Sequence, residues 1–343
     1  MLKADRYLDL LHAAQHAFGA ARQVAWDHIV KTAPIEEDQL FWLIDTALPM
    51  LETNWAPILN GSGVSMRLSG VFCHKTPLAV YPDSKNASAP KIRRELGDLL
   101  MVHDHRGRNA HRQAILMQAK RMDAGQLKAD NPEQARLYAD WPLFELRGHG
   151  GDGSSYLNGD RNFKNSRDGA RYLILDDERH PRGSWWCPCC DGRWHGFGSD
   201  HVNGWLVSDP RGKVGLPGSE DLATAFVNML YDVYPSRGQR TKRYLAGDTL
   251  KLGIGEDFDV TVHELLTKTF TKDLLTTKRG RHSRKRGENT GFMGSSPFPS
   301  TPDSPLEFMS SKGVSGTEPP TSEHSGFGDG RPIAIVLVET VED

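Results

Sequence analysis

An aspartate at position 98 and the tripeptide Gln118-Ala119-Lys120 stand on two apolar runs within GDLLMVHDHRGRNAHRQAILMQAKR, residues 97–121. A carboxylate, an amide and an ammonium are unusual on segments otherwise suited to burial. Together they suit phosphodiester chemistry. Hard cations such as Mg²⁺ or Mn²⁺ take carboxylate, carbonyl and water oxygens. Asp98 would bind the metal, helped by the Gln118 side chain and the backbone carbonyl of Ala119. The metal would polarise a phosphate and acidify a bound water. Lys120 would orient that water and offset the charge that develops in the transition state.

For these groups to meet, their segments must be neighbouring strands. Side chains alternate faces along a strand, so Asp98 shares a face with Leu100 and Val102, and Gln118 with Leu116 and Lys120. An antiparallel hairpin turning at Gly107 or Arg108 brings residues 98 and 118 together on one face. A register shifted by one residue separates them. Three strands are expected, at about 69–80, 96–102 and 112–120. Two helical stretches precede them, about 2–31 and 35–56. In the second, Leu40, Ile44, Leu48 and Leu51 form the apolar stripe, Glu52 flanks it, and Pro49 should kink or interrupt it. The segment 59–67 reads as a loop. NPEQARLYADWPLFEL, 131–146, starts as a helix that breaks before Pro142.

At this point the pattern resembles a known family. An acidic residue on one strand followed by (D/E/Q)-x-K on the next resembles the PD-(D/E)xK, or restriction-endonuclease-like, nuclease superfamily. LGD…ILMQAKR is most similar to the Q-x-K variants of Mrr-like restriction enzymes. The resemblance covers residues 35–146 and implies an αβββα core with a mixed sheet, in the α/β (α+β) class. It implies Mg²⁺-dependent cleavage of duplex DNA, with Asp98, Gln118 and Lys120 as the matching positions. Many members also use a glutamate on the first helix, for which Glu52 is chosen ahead of Glu36 and Glu37. Glutamine in place of a second carboxylate lowers the negative charge, so metal binding would be weaker or lean on Glu52. The resemblance further implies the effector of a bacterial antiviral system. No helix-turn-helix reader is evident, so a regulatory partner protein or homo-oligomer is expected.

The rest of the chain divides into further regions around that core. Residues 1–34 hold the first helix, and 147–276 form an α+β extension rich in Gly, Trp and Cys. Within the extension, strands are expected at 171–177 and 204–208, a helix capped by Ser219 over 219–234, and another at about 260–276. Residues 277–330 are basic, then rich in Ser, Pro and Gly, a composition that reads as disordered or a long loop. Residues 331–343 carry a strand, RPIAIVLVET, that must return to a sheet, because an unpaired apolar edge invites aggregation.

Composition sets outer bounds. The 343 residues are 38% hydrophobic and 25% charged, with a formal net charge of −2. Nucleic-acid affinity must therefore come from local basic surfaces. Candidates are Arg106, Arg108 and Arg112 in the hairpin turn, and Lys278, Arg279, Arg281, Arg284, Lys285 and Arg286 in KRGRHSRKR. His103, Asp104 and His105 read as a solvated turn. No apolar stretch approaches the roughly 18 residues that span a bilayer. The N-terminus lacks a secretory signal, and four cysteines do not make a disulfide framework, so a cytoplasmic location with no membrane partner is expected. Cys187, Cys189 and Cys190, with His195 and His201, contain tetrahedral zinc ligand types, yet no second CxxC accompanies them. They read as thiols in a Trp-rich loop. Two alternatives to the nuclease stand: a catalytically inactive nucleic-acid-binding or adaptor protein, and a zinc-stabilised interaction protein.

Overall fold

The computed structural model describes residues 4–27, 36–72, 77–83, 88–107, 109–123, 126–127, 132–147, 156–166, 169–175, 184–186, 194–196, 205–208, 220–233, 238–245, 248–271, 292–295 and 334–342. The chain opens with helices α1 (Tyr7–Asp27), α2 (Glu36–Trp42) and α3 (Leu48–Asn60). Strands β1 (Val64–Phe72), β2 (Leu78–Tyr81), β3 (Ile92–Glu95), β4 (Leu99–Arg106), β5 (His111–Asp123) and β6 (Gln126–Leu127) follow. Next come α4 (Pro132–Asp140), β7 (Phe144–Arg147), β8 (Asp160–Arg161) and β9 (Ala170–Leu175). After β10 (Ser184–Trp186), β11 (Trp194–Gly196), β12 (Trp205–Ser208) and β13 (Glu220–Asp221) comes α5 (Leu222–Tyr231). The remaining elements are β14 (Gln239–Thr241), α6 (Asp257–Thr271), β15 (Phe292–Ser295) and β16 (Ala334–Glu342). Among the described helices, none is long and apolar enough to cross a membrane.

The class is α+β with a mixed sheet. Among the described residues the main sheet runs β13-β12-β9-β5-β4-β16-β1-β15, with β14 and β6 also paired to β5. A smaller sheet is ordered β3-β2-β7-β8. The segment expected as one strand over 69–80 is two strands in two sheets. Likewise, the loop expected over 59–67 shrinks to a turn, with Gly63 at φ +68° between α3 and β1.

Alternation along β4 and β5 explains the layering. Leu99, Met101, Ile115, Met117 and Ala119 join one core with α1, α3 and α5. Leu100, Val102, Ala114 and Leu116 join another with α4, α6, β2 and β7. The sheet is thus covered on both faces, as its near-continuous apolar strands require. The last strand, β16, sits between β1 and β4, antiparallel to the first and parallel to the second. Val336 and Val338 face the first core, while Ile335 and Leu337 face the second. β16 is therefore a central strand, and β1 and β4 never touch as a pair.

The α-helical stretch is interrupted just before Pro49 by a π-helical segment, Leu43–Ala47, and the proline sits in the first turn of α3, where its missing N–H is harmless. The cap of α5 is Asp221, which accepts from Thr224 N at 3.1 Å, instead of Ser219.

Candidate active site

β4 and β5 form an antiparallel hairpin in which Leu99 lies opposite Met117 and His105 opposite His111. This register puts Asp98, the residue before β4, alongside Gln118. The Asp98 N–H donates to Met117 O at 2.8 Å, drawing the chain tightly onto β5. Gly97 makes that approach possible: a Cβ there would lie 2.8 Å from the Tyr138 hydroxyl and 3.0 Å from Met117 O.

The Asp98 carboxylate meets two donors on one oxygen. The Gln118 Nε2 donates to Asp98 Oδ2, and the Ala119 N–H donates to the same oxygen at 2.7 Å. From α4, Gln134 Nε2 donates to Gln118 Oε1 at 2.7 Å and to the Glu95 carbonyl at 3.0 Å. This chain of bonds fixes both amides. The Glu95 carbonyl can only accept, so Gln134 must present its nitrogen. Gln118 must then present its oxygen to Gln134, leaving its nitrogen for Asp98. Nearby, Tyr138 OH donates to Leu96 O at 2.8 Å, and its pKa is raised by burial first and by the Asp98 charge second.

The donor set departs from what a divalent cation needs. Mg²⁺ requires a near-octahedral shell of oxygens. Gln118 turns its oxygen away from Asp98, and its side chain is almost fully buried at 3% exposure. Ala119 offers its N–H to Asp98, while its methyl lies in the helical core. In this arrangement Asp98, Gln118 and Ala119 do not make a metal-ready oxygen set. Lys120 follows on the Gln118 face by strand alternation and is half-buried. Its ammonium has no hydrogen-bond or ion-pair partner among the described residues.

Glu52 is elsewhere. It belongs to α3, whose Leu48, Leu51, Trp55 and Leu59 pack in the first core, so the sheet separates that helix layer from Asp98 and Gln118. A flanking position on an amphipathic stripe does not reveal which sheet face the helix covers. Glu36 and Glu37 lie in α2, also in the helical layer on that side.

The hairpin's polar residues are not a solvated turn. His103, Asp104 and His105 are buried inside β4, which extends to Arg106 and is flanked by β16. His103 Nε2 and His105 Nδ1 lie 2.9 and 2.8 Å from the Thr340 hydroxyl on β16. The rings of His103, His105 and His111 cluster with centroids 5.1–6.0 Å apart. Burial, and then the neighbouring His111 and His105, push the His103 pKa down to about 3. Burial also lowers those of His105 and His111.

The hairpin arginines are engaged within the protein. Arg106 pairs with Glu339 at 3.2 Å, and Arg112 pairs with Asp104 at 3.2 Å. Asp104 also accepts from Arg243 Nε at 2.6 Å. Arg112 is committed to this buried carboxylate and does not offer itself to a DNA backbone. Arg108, the basic run from Lys278 to Arg286, the cysteines at 187, 189 and 190, and His201 lie outside the described residues. His195 is on β11, opposite Trp185 of β10.

One residue of the constellation escaped the sequence reading. Gln134, Leu137 and Tyr138 are all buried on α4, a spacing of three and four that marks a helix's inward stripe. A glutamine in such a stripe needs a buried partner, and that is the signal that could have singled it out. No family model matches this chain, and no curated protein or solved structure matches it either.

Proposed function

We propose that the protein is a Mg²⁺- or Mn²⁺-dependent endonuclease acting on DNA, built on a restriction-endonuclease-like core. The observation that carries this reading is the meeting of Asp98 with Gln118 at one end of the β4–β5 pair, with Lys120 next on the same face. Two features support it. After α4, strand β9 runs parallel to β5, with Gln118 opposite Tyr172 and Lys120 opposite Ile174. In addition, β3, three residues ahead of Asp98, carries the exposed Arg93, a suitable phosphate contact. Insertion of β16 beside β4 is a departure from the consecutive strands of the family pattern.

In this reading Asp98 anchors negative charge at the strand end. Lys120 brings an uncommitted cation to the phosphate and offsets charge in the transition state. With the Gln118 oxygen turned toward it, Asp98 and Gln118 would hold a divalent cation, which would supply Lewis acidity and an acidified water. A second reading, a non-catalytic nucleic-acid-binding or adaptor protein, is favoured by one observation: the Gln118 nitrogen, instead of its oxygen, faces Asp98. Incubating supercoiled plasmid with the protein and Mg²⁺ or Mn²⁺ separates the two. The nuclease reading expects nicking or linearisation that falls at least about a hundredfold in Lys120→Ala. Cleavage that survives this substitution refutes the site. No cleavage by the wild type supports the binding protein.

A further inference from the structure

We propose that Gln134 is a positioning residue that holds the site in a cation-closed form, by fixing the Gln118 amide with its nitrogen toward Asp98. The inference rests on the reading of Asp98, Gln118 and Lys120 as the site, and it concerns how that site is regulated. Turning the Gln118 amide would bring its oxygen to Asp98, the arrangement in which these two side chains could together hold a divalent cation. The turn creates two mismatches. Gln118 Oε1 would face Asp98 Oδ2, oxygen against oxygen. Gln118 Nε2 would face Gln134 Nε2, donor against donor.

A cation repairs only the first mismatch. The second persists, because Gln134 cannot turn in compensation: its nitrogen is tied to the Glu95 carbonyl, a backbone acceptor with no alternative role. Both glutamines are buried, so water does not readily take over either bond. Opening the site to a cation therefore requires Gln134, and with it α4, to give up its bond to Gln118. α4 is a short helix on the second face of the sheet, packed through Leu137 and Tyr138. A bound nucleic acid that shifts α4 would therefore also set cation affinity. The signal for activation is thus read at a helix instead of at the carboxylate.

The test is Mn²⁺ binding to the full chain without nucleic acid, followed by the electron paramagnetic resonance signal of free Mn²⁺. The wild type is expected to bind weakly. Gln134→Leu, which removes the opposing donor, is expected to bind at least tenfold more tightly, with Asp98→Asn abolishing the gain. A glutamine with only a packing role would leave Mn²⁺ affinity unchanged, and that result overturns the proposal. Should Gln134→Leu fail to fold, Gln118→Glu serves in its place, since it keeps an acceptor for Gln134 while presenting an oxygen to Asp98. Mn²⁺ should raise the melting temperature of that variant and leave the wild type's unchanged. Equal shifts in both overturn the proposal.

The nuclease reading fails or survives separately. Wild-type cleavage with no effect of Gln134→Leu on Mn²⁺ binding refutes the cation-closed form alone. A tighter Mn²⁺ site in Gln134→Leu, with no cleavage by any variant, refutes the nuclease alone.

Discussion

Acidification should weaken this fold through His103, and the size of the effect follows from its burial. The imidazole is 1% exposed and its pKa is lowered from 6.5 to about 3. A base whose folded pKa is depressed contributes its full share of stability above pH 6.5. It loses that share as pH falls toward 3, because only the unfolded chain takes up the proton over that interval. Between pH 7 and pH 5 the linkage amounts to about 2 kcal/mol at this one residue. By pH 3 it reaches roughly 4 kcal/mol, a large fraction of a domain's stability. His105 and His111, also lowered, act in the same direction. Buried Glu339 and half-buried Asp259, whose pKa values are raised, act in the opposite one. Comparison with His103→Gln isolates the term, since the amide can still reach Thr340 but takes up no proton. Urea unfolding of both proteins at pH 7 and pH 5 is the assay. The wild type should lose about 2 kcal/mol more than the variant over that interval. Parallel losses would refute a buried, neutral His103.

Three other perturbations test the architecture. Glu264→Ala should cost about 3–5 kcal/mol in thermal or urea unfolding, because it strands the charge of Arg161, which is fully buried and paired with Glu264 at 2.8 Å. Gly97→Ala should cost about 1–3 kcal/mol, since the added methyl presses on the Tyr138 hydroxyl and Met117 carbonyl. By moving Asp98 it should also reduce any DNA cleavage, measured at matched folded fraction. Removing residues 334–343 takes out a central strand and exposes the facing edges of β1 and β4. Circular dichroism and size exclusion should then report loss of the native fold, and a folded, monomeric truncation would contradict the sheet order.

Legibility tracked the range of the interaction. The meeting of Asp98 and Gln118 depends on strand alternation and on a turn centred near residue 108, both local properties readable from the chain. The apolar character of β16 likewise announces a buried strand. Its place between β1 and β4 does not follow from that character, because pairing across more than 200 residues leaves no periodic trace. Glu52 shows the same limit: helical spacing gives the flank of a stripe and is silent about which sheet face that stripe covers. His103 and His105 misled through chemistry. Imidazoles look like turn residues beside Arg106 and Gly107, but Thr340, supplied by the distant β16, lets them stay buried and neutral. The basic run and the cysteine cluster lie outside the described residues.

The central claim, that Asp98 and Lys120 serve phosphodiester hydrolysis, is tested most directly on an end-labelled DNA duplex under single-turnover conditions with Mg²⁺ or Mn²⁺. Cleavage by the wild type, lost by a hundredfold or more in both Asp98→Asn and Lys120→Ala at equal folded fraction, is the predicted result. Cleavage rates unchanged by either substitution, or no cleavage in any of the three proteins, would contradict the account.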